Sequence, residues 1–175
     1  DPPVPIHRLG RGTSGLMLLA RSPLAKSHLT QQMRDRRIHK TYLALVSSGS
    51  MPDEFAIAHP IGKINHPILG YIYGATADGK FAQSNCRVLR RNAETTLLAV
   101  TILTGRPHQI RIHLAAAGYP LIGDPLYVAG GIPRTEGART DEKQPVPGDC
   151  GYYLHAWRLT FTHPRTEQEL SFVCP

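Results

Sequence analysis

The clearest pattern along the chain is an alternation of apolar and polar residues with a period of two. It is strongest over residues 38–46, where Tyr42, Ala44 and Val46 would share one face of a half-buried β-strand. Two further strands, at 82–89 and 95–103, are separated only by a short polar turn, and we expect them to pair as a hairpin. Near the C-terminus, the same alternation predicts a pair of strands at 153–162 and 169–173.

Two stretches instead repeat apolar residues at the spacing of an α-helix. The first covers residues 22–36, where a serine N-cap is followed by proline at the first helical position and the C-terminal end is basic. The second covers residues 109–117, with an apolar face formed by Ile110, Leu114 and Ala117. The glycine that follows this second stretch is expected to end the helix.

The remaining segments are less regular. The apolar run at 16–20 is short and bounded by glycine and a Ser-Pro pair, which predicts a buried strand over residues 15–21. Residues 47–80 are rich in Gly, Pro, Asn and Ser, and we expect irregular hairpins joined by turns. Residues 129–151 contain almost no large apolar side chain, which predicts an exposed loop.

The composition is that of an ordinary globular protein. The 175 residues are 41% hydrophobic and 19% charged, which indicates a single domain over residues 1–175 with a sizeable core. The formal net charge is +7, and this excess of basic residues favours a polyanionic partner such as a nucleic acid. Many basic proteins bind no nucleic acid, so the charge by itself is weak evidence.

The cysteines and the N-terminal residues indicate the cellular compartment in which the protein is expected. The three cysteines are widely spaced and form no Cys-x-x-Cys pair, which argues against a disulfide framework and fits a reducing environment. The N-terminus lacks the apolar region of a signal peptide, and no apolar run approaches the ~20 residues needed to span a bilayer. We expect a cytoplasmic protein with no membrane partner; an organelle is the alternative.

Three segments contain residue types that point to chemistry. Residues 7–15 read His-Arg-Leu-Gly-Arg-Gly-Thr-Ser-Gly, residues 40–46 read Lys-Thr-Tyr-Leu-Ala-Leu-Val, and residues 104–113 read Thr-Gly-Arg-Pro-His-Gln-Ile-Arg-Ile-His. In the first segment, guanidinium and glycine backbone groups could approach an anion closely. In this order, the three segments resemble motifs I, II and III of the RluA-type RNA pseudouridine synthases.

The resemblance covers nearly the whole chain and carries implications for the fold and the activity. It implies an α/β domain of the α+β type with the pseudouridine synthase catalytic fold: a mixed, mainly antiparallel sheet with flanking helices and a central basic cleft. It also implies that uridine in rRNA or tRNA is flipped out and isomerised to pseudouridine, by a monomer that needs no cofactor. Other strands precede motif I in the family, so we expect the domain to lack its first strands.

The resemblance also assigns roles to individual residues. Arg8 would enter the space left by the flipped uridine, Tyr42 would pack against the target base or sugar, and Arg111 would pair with the catalytic carboxylate. Gly10 stands at the position of that carboxylate, which is an aspartate in the family. We therefore expect Arg8, Tyr42 and Arg111 to line one pocket with Gly10 at its floor. The other residues expected to contact RNA are Arg11, Thr13, Ser14, Lys40, Arg106, His108 and Gln109.

Gly10 leaves the chemistry open. The family's aspartate supplies a nucleophile at C1′ or a base for the 2′ proton, and glycine can do neither. Asp35 and Asp124 are the acids in or beside the motifs, but Asp124 lies in a Gly-Asp-Pro turn typical of a structural Asx cap. With Gly10 in place, Arg111 is expected to lose its carboxylate partner unless another acid or a phosphate balances it.

Three functions follow from these patterns. The first is a pseudouridine synthase, either with an unusual acid or inactivated in this chain by the substitution. The second is a catalytically inactive RNA-binding protein that keeps the cleft. The third, a hydrolase unrelated to the resemblance, has almost no support in the sequence.

The nine histidines do not predict a metal site. His108 and His113 are five residues apart and would lie on different faces of a helix, and no His/Cys group has ligand spacing with supporting carboxylates. No P-loop or GxGxxG motif occurs. We therefore expect neither a metal nor a nucleotide cofactor.

Overall fold

The computed structural model describes residues 2–66, 69–134 and 145–175. Within these ranges, the chain forms strands and two helices that surround three hydrophobic clusters. In chain order the elements are β1 (Val4–Pro5), β2 (Thr13–Gly15), β3 (Leu19–Ala20), α1 (Pro23–Arg34), β4 (His39–Ser47), β5 (Glu54–Ile57), β6 (Ile61–His66), β7 (Gly70–Ala75), β8 (Ser84–Arg91), β9 (Thr95–Ile102), α2 (Gln109–Ala116), β10 (Leu154–Thr162) and β11 (Glu169–Val173).

A seven-stranded sheet forms the centre of the fold. Six of its strands follow the order β11–β10–β4–β9–β8–β5, and all neighbours in this order are antiparallel. The seventh strand, β2, pairs in parallel with the first residues of β10, ahead of the part of β10 that β11 occupies. The sheet is therefore mixed and mainly antiparallel, as the resemblance implies. The strand β2 also attaches the motif I segment to this sheet.

The strands predicted from the two-residue period are confirmed. Tyr42, Ala44 and Val46 on β4 are all buried and pack in the main core. The strands β8 and β9 pair as the predicted hairpin, and β10 and β11 form the predicted C-terminal pair. The period holds in these strands because one face of the sheet packs on hydrophobic residues while the other face is less buried.

The helix α1 begins as the sequence predicts. The Ser22 side chain accepts a hydrogen bond from the amide of Ala25 at 3.2 Å, and Pro23 takes the first helical position. Leu29 packs with Leu159 and Phe161 of β10. The helix therefore covers the C-terminal part of β10.

The helix α2 is buried on more sides than the predicted apolar face requires. Ile110 and Leu114 pack in the main core, as expected, and Ala117 packs at its edge. On the other side, Ile112 and Ala115 are fully buried against the hairpin formed by β6 and β7. Because two layers cover this helix, its polar side chains must find hydrogen-bond partners inside the protein.

The prediction of one buried strand over residues 15–21 is wrong. Residues 13–15 belong to the main sheet as β2, whereas residues 19–20 form β3 in a separate two-stranded sheet with β1. Gly15 has a φ of +102°, a conformation that turns the chain out of the main sheet at this point. Met17 and Leu19 are consequently exposed, and Ala20 is buried.

The predictions for the two irregular segments are partly confirmed. Within residues 47–80, β6 and β7 form a hairpin as expected, but β5 pairs with β8 of the main sheet. The predicted loop at 129–151 falls partly outside the described residues. In its described parts, Gly131 and Pro133 are buried, and Pro133 forms a β-bridge with Tyr127, so the loop is not exposed throughout.

Gly15 should tolerate no side chain, because β2 lies directly against β10 there. A Cβ at this position would lie 2.8 Å from backbone atoms of Ala156 and even closer to its carbonyl oxygen. At Gly118, φ is +85° but no atom lies within 4 Å of a Cβ, so an alanine there adds only backbone strain. In urea unfolding, we expect Gly15→Ala to lower the free energy of unfolding by about 3 kcal/mol or more and Gly118→Ala by about 1 kcal/mol. Equal losses would show that β2 can move away from β10 without cost.

Candidate active site

A cavity of about 740 Å³ opens between the motif I segment, the start of α2 and the β6–β7 hairpin. Arg8, Gly10, Tyr42 and Arg111 all line it, so these positions lie in one pocket. Other residues proposed from the sequence that line the cavity are Arg11, Thr13, Lys40, Arg106, His108 and Gln109. Ser14 is not among its lining residues; its hydroxyl is hydrogen bonded to Nδ1 of His155 at 2.8 Å.

The cavity wall is cationic. Arg8, Arg11, Lys40 and Arg106 line it, and none of them forms an ion pair with a carboxylate in the described parts of the chain. Among the described lining residues there is no aspartate or glutamate. Burial lowers the pKa of Lys40, because the charged ammonium loses its solvation there. A polyanion such as a nucleic-acid backbone would neutralise this wall.

Arg111 has a carboxylate partner, so of the alternatives left open by Gly10 the structure shows the one in which another acid balances its charge. The carboxylate of Asp124 accepts two hydrogen bonds from the Arg111 guanidinium, both 2.7 Å long. The side chain of Arg111 is 4% exposed and that of Asp124 is 1% exposed. Burial by itself would lower the pKa of Arg111, but the hydrogen bonds and charge of Asp124 outweigh it and raise that pKa.

Asp124 is fully occupied by these and two further contacts. The same carboxylate accepts hydrogen bonds from the backbone amides of Leu126 and Tyr127 at 2.9 and 3.0 Å, which is the Asx cap predicted from the sequence. Asp124 does not line the cavity. It therefore has no carboxylate oxygen free for a ligand in the cavity. Asp35, the other acid considered, forms an exposed ion pair with Arg37 instead.

The guanidinium of Arg111 also lies between two aromatic rings. Its central carbon is 4.9 Å from the ring centroid of Tyr127 and 4.2 Å from that of Tyr152. Tyr127 is completely buried, whereas Tyr152 is 5% exposed and lines the cavity. The sequence patterns did not single out Tyr152, because a tyrosine at the start of a strand is usually a core residue.

Gly10 faces the hydroxyl of Tyr152. A Cβ on Gly10 would lie 2.8 Å from Tyr152 Oη and 3.2 Å from Thr13 Oγ1. The Tyr152 hydroxyl thus fills the space in which a side chain at residue 10 would begin. A side chain at residue 10 and the Tyr152 hydroxyl cannot both keep their positions.

His108 has a defined tautomer, which its neighbours fix. The Tyr127 hydroxyl donates to the carbonyl of Tyr73 at 2.7 Å, so it accepts from Nδ1 of His108 at 3.0 Å. The proton is therefore on Nδ1, and Nε2 is left as a hydrogen-bond acceptor. Burial, with a contribution from the charge of Arg111, lowers the pKa of His108 to about 4, so the ring is neutral at pH 7.

Tyrosines supply flat surfaces on two sides of the cavity. Burial raises the pKa of Tyr42 to about 12, so its hydroxyl stays protonated at neutral pH. Tyr71 and Tyr73 of the hairpin also line the cavity, and their rings meet edge to face at 6.0 Å. Exposed rings of this kind can stack on unpaired bases, and Tyr71 is 47% exposed. The Tyr-Ile-Tyr repeat in a weakly patterned segment was the available sequence signal for them.

Gln109 lines the cavity and also supports its wall. Its side-chain oxygen accepts hydrogen bonds from the Thr104 hydroxyl and the Arg106 amide, and its nitrogen donates to the Gln83 carbonyl and the Ser84 hydroxyl. Because both polar atoms are engaged inside the protein, Gln109 holds the loop that precedes α2, and its contact with RNA stays a prediction.

In residues 2–66, 69–134 and 145–175 there is no group of three or more His, Cys, Asp or Glu side chains that could hold a metal ion. Neither helix in these ranges is long and apolar enough to cross a membrane.

Comparison with known proteins identifies the class to which this architecture belongs. A family model described as RNA pseudouridylate synthase matches residues 1–116, and the chain therefore belongs to that family. Two solved human structures share the fold at 24% sequence identity. RNA Pseudouridylate Synthase Domain Containing 4 has a TM-score of 0.74 and covers 100% of this chain and 72% of its own. RNA Pseudouridylate Synthase Domain Containing 1 has a TM-score of 0.71 and covers 99% of this chain and 69% of its own.

Curated relatives have higher sequence identity. An uncharacterized RNA pseudouridine synthase of Synechocystis sp. is 48% identical over 98% of this chain and 57% of its own length. RNA pseudouridine synthase 5 of Oryza sativa subsp. japonica is 42% identical over 99% of this chain and 52% of its own length. Ribosomal large subunit pseudouridine synthase D of Nitrosomonas europaea is 36% identical over 97% of this chain and 47% of its own length. This chain spans about half the length of the curated relatives it matches.

Removing the charge of Asp124 should destabilise the protein strongly. Asp124→Asn leaves the buried guanidinium of Arg111 without its counter-charge, and we expect the free energy of unfolding to fall by about 3–5 kcal/mol. Asp35→Asn is the matched control, because it breaks an exposed ion pair and should cost about 1 kcal/mol or less. Urea unfolding at pH 7 measures both. Similar effects of the two substitutions would contradict a structural role for the buried pair.

Proposed function

We propose that the domain binds RNA along its cationic cavity, receives a flipped uridine there and isomerises it to pseudouridine. The observation that carries this proposal is the cavity itself: Tyr42 lines it together with four cations that, among the described residues, form no ion pair with a carboxylate. Membership of the pseudouridylate synthase family supports the reaction type. As proposed, the protein acts without a cofactor as a monomer on rRNA or tRNA, in the cytoplasm or an organelle.

The cavity residues fit the steps that such a reaction needs. Arg8 is exposed at the mouth of the cavity and can take the place of the base that leaves the helical stack. Tyr42 and Tyr71 offer rings against which the base and sugar can pack. The reaction breaks the N1–C1′ bond and forms a C5–C1′ bond within the same nucleotide, so it requires no second substrate.

His108 can contribute to recognition of the flipped base. Uracil presents an N3–H donor between two carbonyl acceptors. The neutral His108 ring lines a cavity that arginine side chains also line, so its acceptor nitrogen can receive N3–H while arginine donors reach the carbonyls. This pattern favours uracil over cytosine, which lacks the N3 proton.

The alternative is an RNA-binding protein without catalytic activity. A specific observation favours it: no carboxylate lines the described part of the cavity, and Asp124 is saturated by four hydrogen bonds. Such a protein would bind uridine-containing RNA in the same way but would leave the glycosidic bond intact.

Tritium release from unmodified rRNA and tRNA transcripts labelled with [5-³H]uridine distinguishes the two functions. We expect the native chain to release tritium, because replacement of the C5 proton accompanies isomerisation. Release by Gly10→Asp alone, with none by the native chain, would establish the inactive binding protein. If neither chain releases tritium and neither binds the transcripts, the proposed function is contradicted.

Arg8 should contribute to RNA affinity through its charge. We expect Arg8→Ala to weaken binding of uridine-containing RNA about tenfold and to reduce the slope of log K against log salt by about one. Arg165→Ala is the control, since Arg165 is exposed and does not line the cavity. Fluorescence anisotropy at several salt concentrations measures both. An unchanged affinity for Arg8→Ala at moderate salt would argue against its placement at the flipped nucleotide.

A further inference from the structure

We propose that Tyr152 is the catalytic group that replaces the missing aspartate, and that its phenolic oxygen bonds to C1′ of the target ribose. This inference rests on the proposed function, because it names the residue that performs the covalent step. Tyrosine is a known nucleophile at sugar carbons in some glycoside hydrolases, where it takes the place of the usual carboxylate.

The position of the Tyr152 hydroxyl is the first argument. Tyr152 lines the cavity with Arg8 and Tyr42, and its Oη lies 2.8 Å from where a Cβ of Gly10 would be. A carboxylate on residue 10 would begin at this point, so the phenol oxygen lies where an acidic side chain would otherwise project. The glycine is also necessary for this arrangement, since any Cβ would displace the hydroxyl.

The hydrogen bonding of Tyr152 is the second argument. Its hydroxyl is within hydrogen-bond range only of Thr13 Oγ1 among the described residues, and at a long 3.5 Å. Tyr127, which contacts the same Arg111, instead uses its hydroxyl for His108 and the Tyr73 carbonyl and is completely buried. Of the two tyrosines that contact Arg111, Tyr152 therefore has the hydroxyl available to a ligand.

The charge beside the ring is the third argument. The Arg111 guanidinium lies 4.2 Å from the Tyr152 ring centroid and cannot move away, because Asp124 holds it with two hydrogen bonds. A fixed cation at this distance stabilises negative charge that develops on the phenol oxygen. The buried pair thereby positions a cation against the reacting group.

The proposed reaction is balanced without a further reactant. The Tyr152 oxygen forms a bond to C1′, the C1′–N1 bond breaks with its electron pair going to uracil, and the phenolic proton passes to the uracil and becomes its N1–H. After the base turns, C5 forms a bond to C1′ and the C1′–O bond breaks. The C5 proton then returns to the tyrosine oxygen, which regenerates the phenol and leaves pseudouridine.

Removing only the hydroxyl tests the proposal. Tyr152→Phe keeps the ring against Arg111, and we expect it to reduce tritium release from the [5-³H]uridine transcripts by ~10³-fold or more while RNA affinity stays within about threefold. Tyr153→Phe is the matched control, because Tyr153 is 61% exposed, does not line the cavity and should retain native activity. Thermal unfolding verifies that all three chains are folded.

A covalent readout separates a nucleophile from a group that merely positions the substrate. In a 5-fluorouridine transcript, the fluorine withdraws electrons from C5 and slows the attack of C5 on C1′, so the sugar-linked enzyme should accumulate before that step. After digestion with nuclease and trypsin, we expect the added ribose-phosphate mass on the peptide that contains Tyr152. Loss of activity in Tyr152→Phe with no mass added to that peptide in the native chain would overturn the nucleophilic role.

The double variant Gly10→Asp/Tyr152→Phe distinguishes failure of this inference from failure of the proposed function. It restores a carboxylate and removes the hydroxyl that would collide with it. Native activity that survives in Tyr152→Phe, or activity found in the double variant but not in the native chain, would overturn the role of Tyr152 and leave the RNA cleft intact. If neither native chain nor double variant turns over or binds the transcripts, the proposed function fails and the inference fails with it.

Discussion

The site depends on one buried ion pair, between Arg111 of α2 and Asp124 in the turn that follows. The side chains of Arg111 and Asp124 are only 4% and 1% exposed, and charges buried this deeply are stable only when they are fully hydrogen bonded. Asp124 accepts four hydrogen bonds, two from Arg111 and two from backbone amides. The pair locks the helix to the turn and fixes the guanidinium between two tyrosine rings. The position of Tyr127, and through it of His108, follows from this arrangement.

A second constraint is the complementarity of Gly10 and Tyr152. The two residues are far apart in the sequence and belong to different elements, yet the hydroxyl of one occupies the space that a side chain on the other would need. Gly10 is therefore not an isolated feature of the motif I segment. It coincides with a polar group supplied from the segment that enters β10, in a cavity where the described wall contains cations but no carboxylate.

Much of the fold could be predicted from local patterns, and the failures have physical causes. Alternation identified β4, β8, β9 and β10 because each packs one face on the core. The same reasoning failed for residues 15–21, since the positive φ of Gly15 divides that run between two sheets. It also underestimated the burial of α2, because the local pattern did not predict that the β6–β7 hairpin packs against the second side of this helix.

The sequence by itself determined the order of the motifs, the cationic character of the site and the absence of an aspartate at residue 10, because these are properties of residue identity and spacing. Local chemistry also determined the Asx cap at Asp124. Only the tertiary structure decided which carboxylate pairs with Arg111, which tautomer His108 adopts and which side chain faces Gly10. Those outcomes depend on contacts between segments distant in the chain, and such contacts leave no periodic signal in the residues that make them.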